Sequence, residues 1–207
     1  MPVKQSLTSV IVIGPWNAAI ISPQWLAQHK VVEEVPDDMS YELGVPVNRL
    51  SFAIGDVSWA VDGSRLEVKA SKFKDCGCYV ARIMALLPHT PVGAIGTNFV
   101  FTSPIPDWPP SKLPRLGDLQ LTATPVYPDM HQVQWIGLRT LADGTNLQIT
   151  VIQQEQKEVA AAFNFHRNVP NAETAKAYAL AWSLDRDVAV QLMKEMFGIE
   201  RYDQPPV

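Results

Sequence analysis

One phrase occurs twice in this chain, and it constrains the fold more than anything else in it. Val61-Asp62-Gly63-Ser64-Arg65-Leu66-Glu67-Val68 and Ala142-Asp143-Gly144-Thr145-Asn146-Leu147-Gln148-Ile149 match class for class. In both, Asp-Gly and a hydroxyl residue stand between alternating runs. Asp-Gly suits a two-residue hairpin, because a type I′ turn needs φ > 0 at both central positions. With Asp62-Gly63 as the loop, Val61 is expected to face Ser64, Trp59 to face Leu66 and Val57 to face Val68. Ala60 and Glu67 then fall on the opposite side. With Asp143-Gly144 as the loop, Thr140 faces Leu147, Leu138 faces Ile149 and Ile136 faces Val151, while Arg139 and Gln148 lie on the other face. Each hairpin acquires one apolar and one polar face, as a half-buried antiparallel pair requires.

The rest of the chain reads around these two units. Leu7 to Ile13 is a β-branched strand stopped by Gly14-Pro15. Ser22 caps a short helix over Pro23 to His29, with proline at its first position. Val31 to Val35 reads as a short strand, and Val47 to Ile54 as an extended segment. Phe73, Cys76, Val80, Ile83 and Leu87 recur at helical steps, with Ser71 as N-cap and Pro88 as the stop. Val92 to Thr102 is a strand carrying Ile95, Phe99 and Phe101 on one face. Leu119 to Val126 is another, Gln153 to Lys157 a polar turn, and Val159, Ala161, Phe163 and Phe165 alternate along a third. Asn171 then caps a helical stretch over Ala172 to Phe197, either continuous or broken near Ser183 to Asp185.

Strands and helices do not alternate one for one, so the fold class is α+β with antiparallel sheets rather than a doubly wound parallel sheet. The chain, 207 residues long, suits a single domain, with halves 1–103 and 115–207. Residues 104–114, with five prolines, connect them. The repeated phrase raises a diverged internal duplication, although the two halves order their helix and third strand differently.

Chemistry is sparse. Neither a phosphate-binding glycine loop nor a nucleophile elbow is present. The four histidines are scattered, so no metal is expected, and Cys76 and Cys78 would point apart on a helix. No cofactor is expected, and a non-catalytic role is favoured over an enzyme. A net charge of −4 with scattered lysines and arginines argues against nucleic acid. No apolar run reaches the length of a membrane span, and no signal peptide is evident, so a cytoplasmic protein is expected.

What remains concerns surfaces. Six tryptophans are many for this length, and Trp16, Trp25 and Trp108 fall in loops or a weak helix, where they can anchor a partner. Asn164 and His166 share the face opposite Phe163 and Phe165. The leading expectation is a binding or assembly module, using a sheet face or edge and these tryptophans against a protein partner or its own copy. The alternative is a small-molecule-binding protein or enzyme, its pocket between the sheet and the C-terminal helix, with Arg139, Asn164 and His166 at the mouth.

Overall fold

The computed structural model describes residues 4–33, 35, 41–44, 49–71, 74–103, 122–125, 132–154 and 158–197. The Pro-rich segment 104–114, with Trp108, and Phe73 lie outside the described residues. Ten strands and four helices occur among those described, and the α+β, antiparallel expectation holds. The strands are β1 (Lys4–Ile13), β2 (Tyr41–Gly44), β3 (Arg49–Ile54), β4 (Val57–Val61), β5 (Arg65–Ala70), β6 (Ala94–Ser103), β7 (Thr122–Pro125), β8 (Gln132–Thr140), β9 (Asn146–Gln154) and β10 (Glu158–Asn168). The helices are α1 (Pro23–Gln28), α2 (Gly77–Leu86), α3 (Ala172–Leu180) and α4 (Trp182–Phe197).

Two compact units form, and neither is one continuous stretch of chain. A three-helix unit comprises Thr8–Thr97 and Arg167–Ser183; a one-helix unit comprises Met1–Leu7, Asn98–His166 and Leu184–Val207. In the three-helix unit the strands run in the order β2-β3-β4-β5-β1-β6, and in the one-helix unit β6-β10-β9-β8-β7. Their cores follow from the alternation of apolar residues. Val10, Val12, Trp59, Leu66 and Val68 are buried in the first, and Phe99, Phe101, Ile149, Phe163 and Phe165 in the second. Phe99 meets Phe165 edge-on, as Phe101 meets Phe163.

Both copies of the repeated phrase close antiparallel strands, though neither with the two-residue Asp-Gly loop. In the first, Val61 pairs with Leu66 and Trp59 with Val68, while the backbone N–H of Asp62 donates to the Arg65 carbonyl. Gly63 does not enter the left-handed region that a type I′ turn needs. The turn is made instead by the Asp62 carboxylate, which accepts from the Ser64 N–H at 2.8 Å and the Ser64 hydroxyl at 2.9 Å. Burial raises the pKa of this carboxyl, but the bonds from Ser64, another from the Arg65 backbone and the charge of Arg49 outweigh it. The result lies below the ordinary value. The register moves by an even step, so Val57, Trp59 and Val61 still face inward.

The second phrase uses the same side-chain device: Asp143 accepts from the Thr145 N–H at 3.0 Å and its hydroxyl at 2.7 Å. Its loop is longer by an odd residue. Leu141 N–H bonds the Thr145 carbonyl, Gly144 N–H bonds the Leu141 carbonyl, and Gly144 sits at φ 81°. That is a three-residue loop with a glycine bulge. The pairs become Thr140 with Asn146, Arg139 with Leu147 and Leu138 with Gln148. The expected facing of Leu138 with Ile149 is therefore overturned. A slip of one residue turns Leu138 outward, where it is 70 % exposed. Meanwhile a two-residue loop does occur at Gly55-Asp56, between Ile54 and Val57, with Gly55 at φ 59°.

Further departures have local causes. Val31 and Val32 form no strand. They fold back over the end of α1, where the Lys30 N–H bonds the Ala27 carbonyl and the Val31 N–H bonds the Leu26 carbonyl. This Schellman closure places Lys30 at φ 56°. A lysine there is strained, so Lys30→Gly is expected to stabilise the protein by about 0.5 kcal/mol, the relief of left-handed strain exceeding the added chain entropy. Urea unfolding of the two proteins checks the sign. Helix α2 begins at Gly77 rather than after Ser71, because Asp75 supplies the capping oxygen to the N–H groups of Gly77 and Cys78. The C-terminal helical stretch breaks at Ala181, earlier than Ser183. Gln153 and Gln154 continue β9 instead of turning. Ser22 and Asn171 cap their helices as expected, through Trp25 N–H and Thr174 N–H.

Candidate functional site

In the one-helix unit, β10, β9 and β8 stack their side chains into rows. His166, Asn146 and Thr140 form one row, and Asn164, Gln148 and Leu138 a second two residues along. Between them runs the row of Phe165, Leu147 and Arg139, whose first two members point into the core. The strand period of two thus separates an apolar inner face from a polar outer one. On the outer face lies an open depression of about 550 Å³ lined by Leu138, Arg139, Thr140, Asn146, Gln148 and His166, with Asn164 and Leu147.

These side chains are tied to one another. The Asn164 amide donates to Asn98 on β6 at 2.5 Å, and the Thr140 hydroxyl donates to the Asn146 side-chain oxygen at 3.2 Å. Gln148 donates to Thr150 at 3.3 Å, one row further along β9. The lining offers amides, a hydroxyl, an imidazole and a guanidinium, with no carboxylate among the lining residues. Side chains of these kinds can hydrogen-bond neutral polar groups and anions. The Thr140 hydroxyl is directed to an amide oxygen, not to a base able to activate it for attack.

Three of the six residues singled out by sequence, Arg139, Asn164 and His166, thus line one depression. It lies on the outer side of the sheet, not between the sheet and the C-terminal helix, and no α4 residue lines it. No known family's sequence pattern matches this chain, and no curated protein matches its sequence. The site is therefore read from its own geometry.

The tryptophans fare differently. Trp16 is buried, and its indole N–H donates to the Val12 carbonyl at 3.1 Å, so it plugs the core of the three-helix unit. Trp25 is half-buried on α1 with its ring against His29 at 4.6 Å. Trp108 lies outside the described residues. Sequence reasoning missed Thr140, Asn146, Gln148 and Leu138, because Gln148 and Asn146 are placed by the β9–β10 register, and Leu138 and Thr140 by the register across the bulged loop.

The cysteines stand apart from this site. Burial first, then the Asp75 carboxylate, pushes the Cys76 thiol up to about 12, and Cys78 is raised by the same causes. Both thiols remain protonated at neutral pH, a poor state for a soft metal or for nucleophilic attack. Among the described residues, no three His, Cys, Asp or Glu side chains converge as a metal site, and no helix is long and apolar enough to cross a membrane.

Proposed function

We propose that this protein is a non-catalytic assembly module whose docking surface is the outer face of β8, β9 and β10, and that a second copy of the chain occupies it. The observation that carries this reading is the exposed Leu138 set among paired amides and a hydroxyl, with no carboxylate among the residues lining the depression. A twofold interface brings one patch against itself, so the patch must be self-complementary. Amides and hydroxyls both donate and accept, and therefore satisfy their own kind, whereas a row of like charges would repel its copy. Leu138 supplies the apolar centre that such a contact needs. A cytoplasmic setting, with both thiols reduced, belongs to the same reading.

Light scattering after size exclusion tests it. The native chain is expected to run as a dimer at micromolar concentration, and Leu138→Asp to weaken association by about tenfold or more, since a charge is placed in the contact. A native chain that stays monomeric, or a Leu138→Asp dimer of unchanged affinity, overturns the proposal. A second reading, small-molecule binding, is favoured by the depression's volume of about 550 Å³, which falls within the usual range for ligand sites. A monomer carrying a bound small molecule in native mass spectrometry would select it. We also infer that the repeated phrase is the trace of a duplication, supported by the shared carboxylate–hydroxyl turn.

A further inference from the structure

A second concavity, about 520 Å³, opens in the three-helix unit beside the end of α1, the β3–β4 turn and α2. Val31, Val32, Ile54 and Val57 are its apolar lining residues; all three valines are buried, and Ile54 is half-buried. Its polar groups are Lys74, Arg82, Tyr79, Cys78 and Glu33.

The cations there are not equivalent. Lys74 is committed to the Asp56 carboxylate. Arg82 is held only by backbone: its Nη1 donates to the Val31 carbonyl at 3.1 Å and to the Lys30 carbonyl at 3.4 Å. Among the described residues no carboxylate pairs with it. That grip fixes the plane of the guanidinium and leaves its remaining donors for a ligand. A planar fork fixed in advance matches a carboxylate in two-point fashion and loses little freedom on binding. Ile54 and Val32 beside it favour an anion that carries a hydrocarbon body. Asp56 and Glu33 nearby disfavour a doubly charged ligand such as phosphate.

We propose that this cleft binds a small aliphatic monocarboxylate, with its carboxylate on Arg82 and its chain against Ile54 and Val32. The proposal is independent of the sheet-face reading. Calorimetric titration of the full chain with hexanoate, acetate and inorganic phosphate tests it. Hexanoate is expected to saturate one site per chain, and acetate to bind about tenfold more weakly or worse, because it lacks the buried methylenes. Arg82→Gln should weaken hexanoate by about tenfold or more. Since Arg82 also braces the end of α1, circular dichroism must show that variant folded. If it is not, Cys78→Met decides, by extending a longer side chain into the cleft and blocking hexanoate. Absence of hexanoate binding at tens of millimolar overturns the proposal, as does phosphate or acetate binding equally well. Unchanged affinity in a folded Arg82→Gln, or in Cys78→Met, overturns it too.

Discussion

Gly77→Ala is expected to destabilise the protein by about 3 kcal/mol, against the direction that helix propensity alone dictates. A Cβ at Gly77 would stand 2.0 Å from the Ala179 carbonyl oxygen and 2.8 Å from the Trp182 Cβ. The first neighbour is backbone on α3, so it cannot rotate aside as a flexible side chain would. Relief requires α2 and α3 to separate, and that separation reaches a buried polar contact. Trp182 donates its indole N–H to the Thr8 hydroxyl at 2.9 Å, and Thr8 is fully buried on β1. Loosening that bond leaves a buried donor without a partner, an added cost of roughly 1–3 kcal/mol if it breaks outright. Propensity would return at most about 1 kcal/mol for alanine over glycine, less in a first turn. The net loss corresponds to a fall in Tm of about 6–12 °C for a chain of this size. Urea unfolding followed by tryptophan fluorescence checks it. A gain in stability would mean that α2 and α3 do not approach so closely.

How far the fold could be read beforehand depended on how local each determinant is. Ser22 and Asn171 act within one helical turn, and both were legible. So was the contrast between Phe163 and Phe165, buried, and Asn164 and His166, half-buried, because strand alternation needs no knowledge of neighbours. Asp75 was not legible as a cap, since Ser71 offered an equally good oxygen at the start of the apolar stripe. The hairpin loops were half legible. Asp-Gly followed by Ser or Thr announced a turn, but the aspartate uses its carboxylate on the hydroxyl residue, and the loop length then depends on where glycine takes a positive φ. At Gly144 it does and at Gly63 it does not. The candidate surface suffered from this directly. Asn164 and His166 were identifiable on β10, whereas Gln148 and Asn146 become their neighbours through the β9–β10 register, and Thr140 joins that row only in the bulged β8–β9 register. Asn98, the partner of Asn164, comes from a distant part of the chain that no periodicity connects to it.

That register makes Leu147→Ala and Leu138→Ala a discriminating pair, and the former carries the second large effect expected here. Leu147 is 1 % exposed and lies in the row with Phe165, so truncation removes buried methyl groups and leaves a cavity between packed strands. A loss of about 2–5 kcal/mol is expected, toward the upper end because the edge-on Phe99 and Phe165 rings cannot readily collapse into the space. Leu138, on the same sheet, is 70 % exposed opposite Gln148, and its truncation should change stability by no more than about 0.5 kcal/mol. With a two-residue Asp143-Gly144 loop, Leu138 would face Ile149 inside the core, and both variants would suffer comparable losses. Denaturant unfolding of the two proteins under one set of conditions therefore reads the loop length as a difference in free energy. The same result bears on the proposed assembly surface. If Leu138→Ala leaves the fold intact, Leu138 is held outward by the Gly144 bulge with no role in the core, and any effect of Leu138→Asp on dimerisation is an effect at the contact itself.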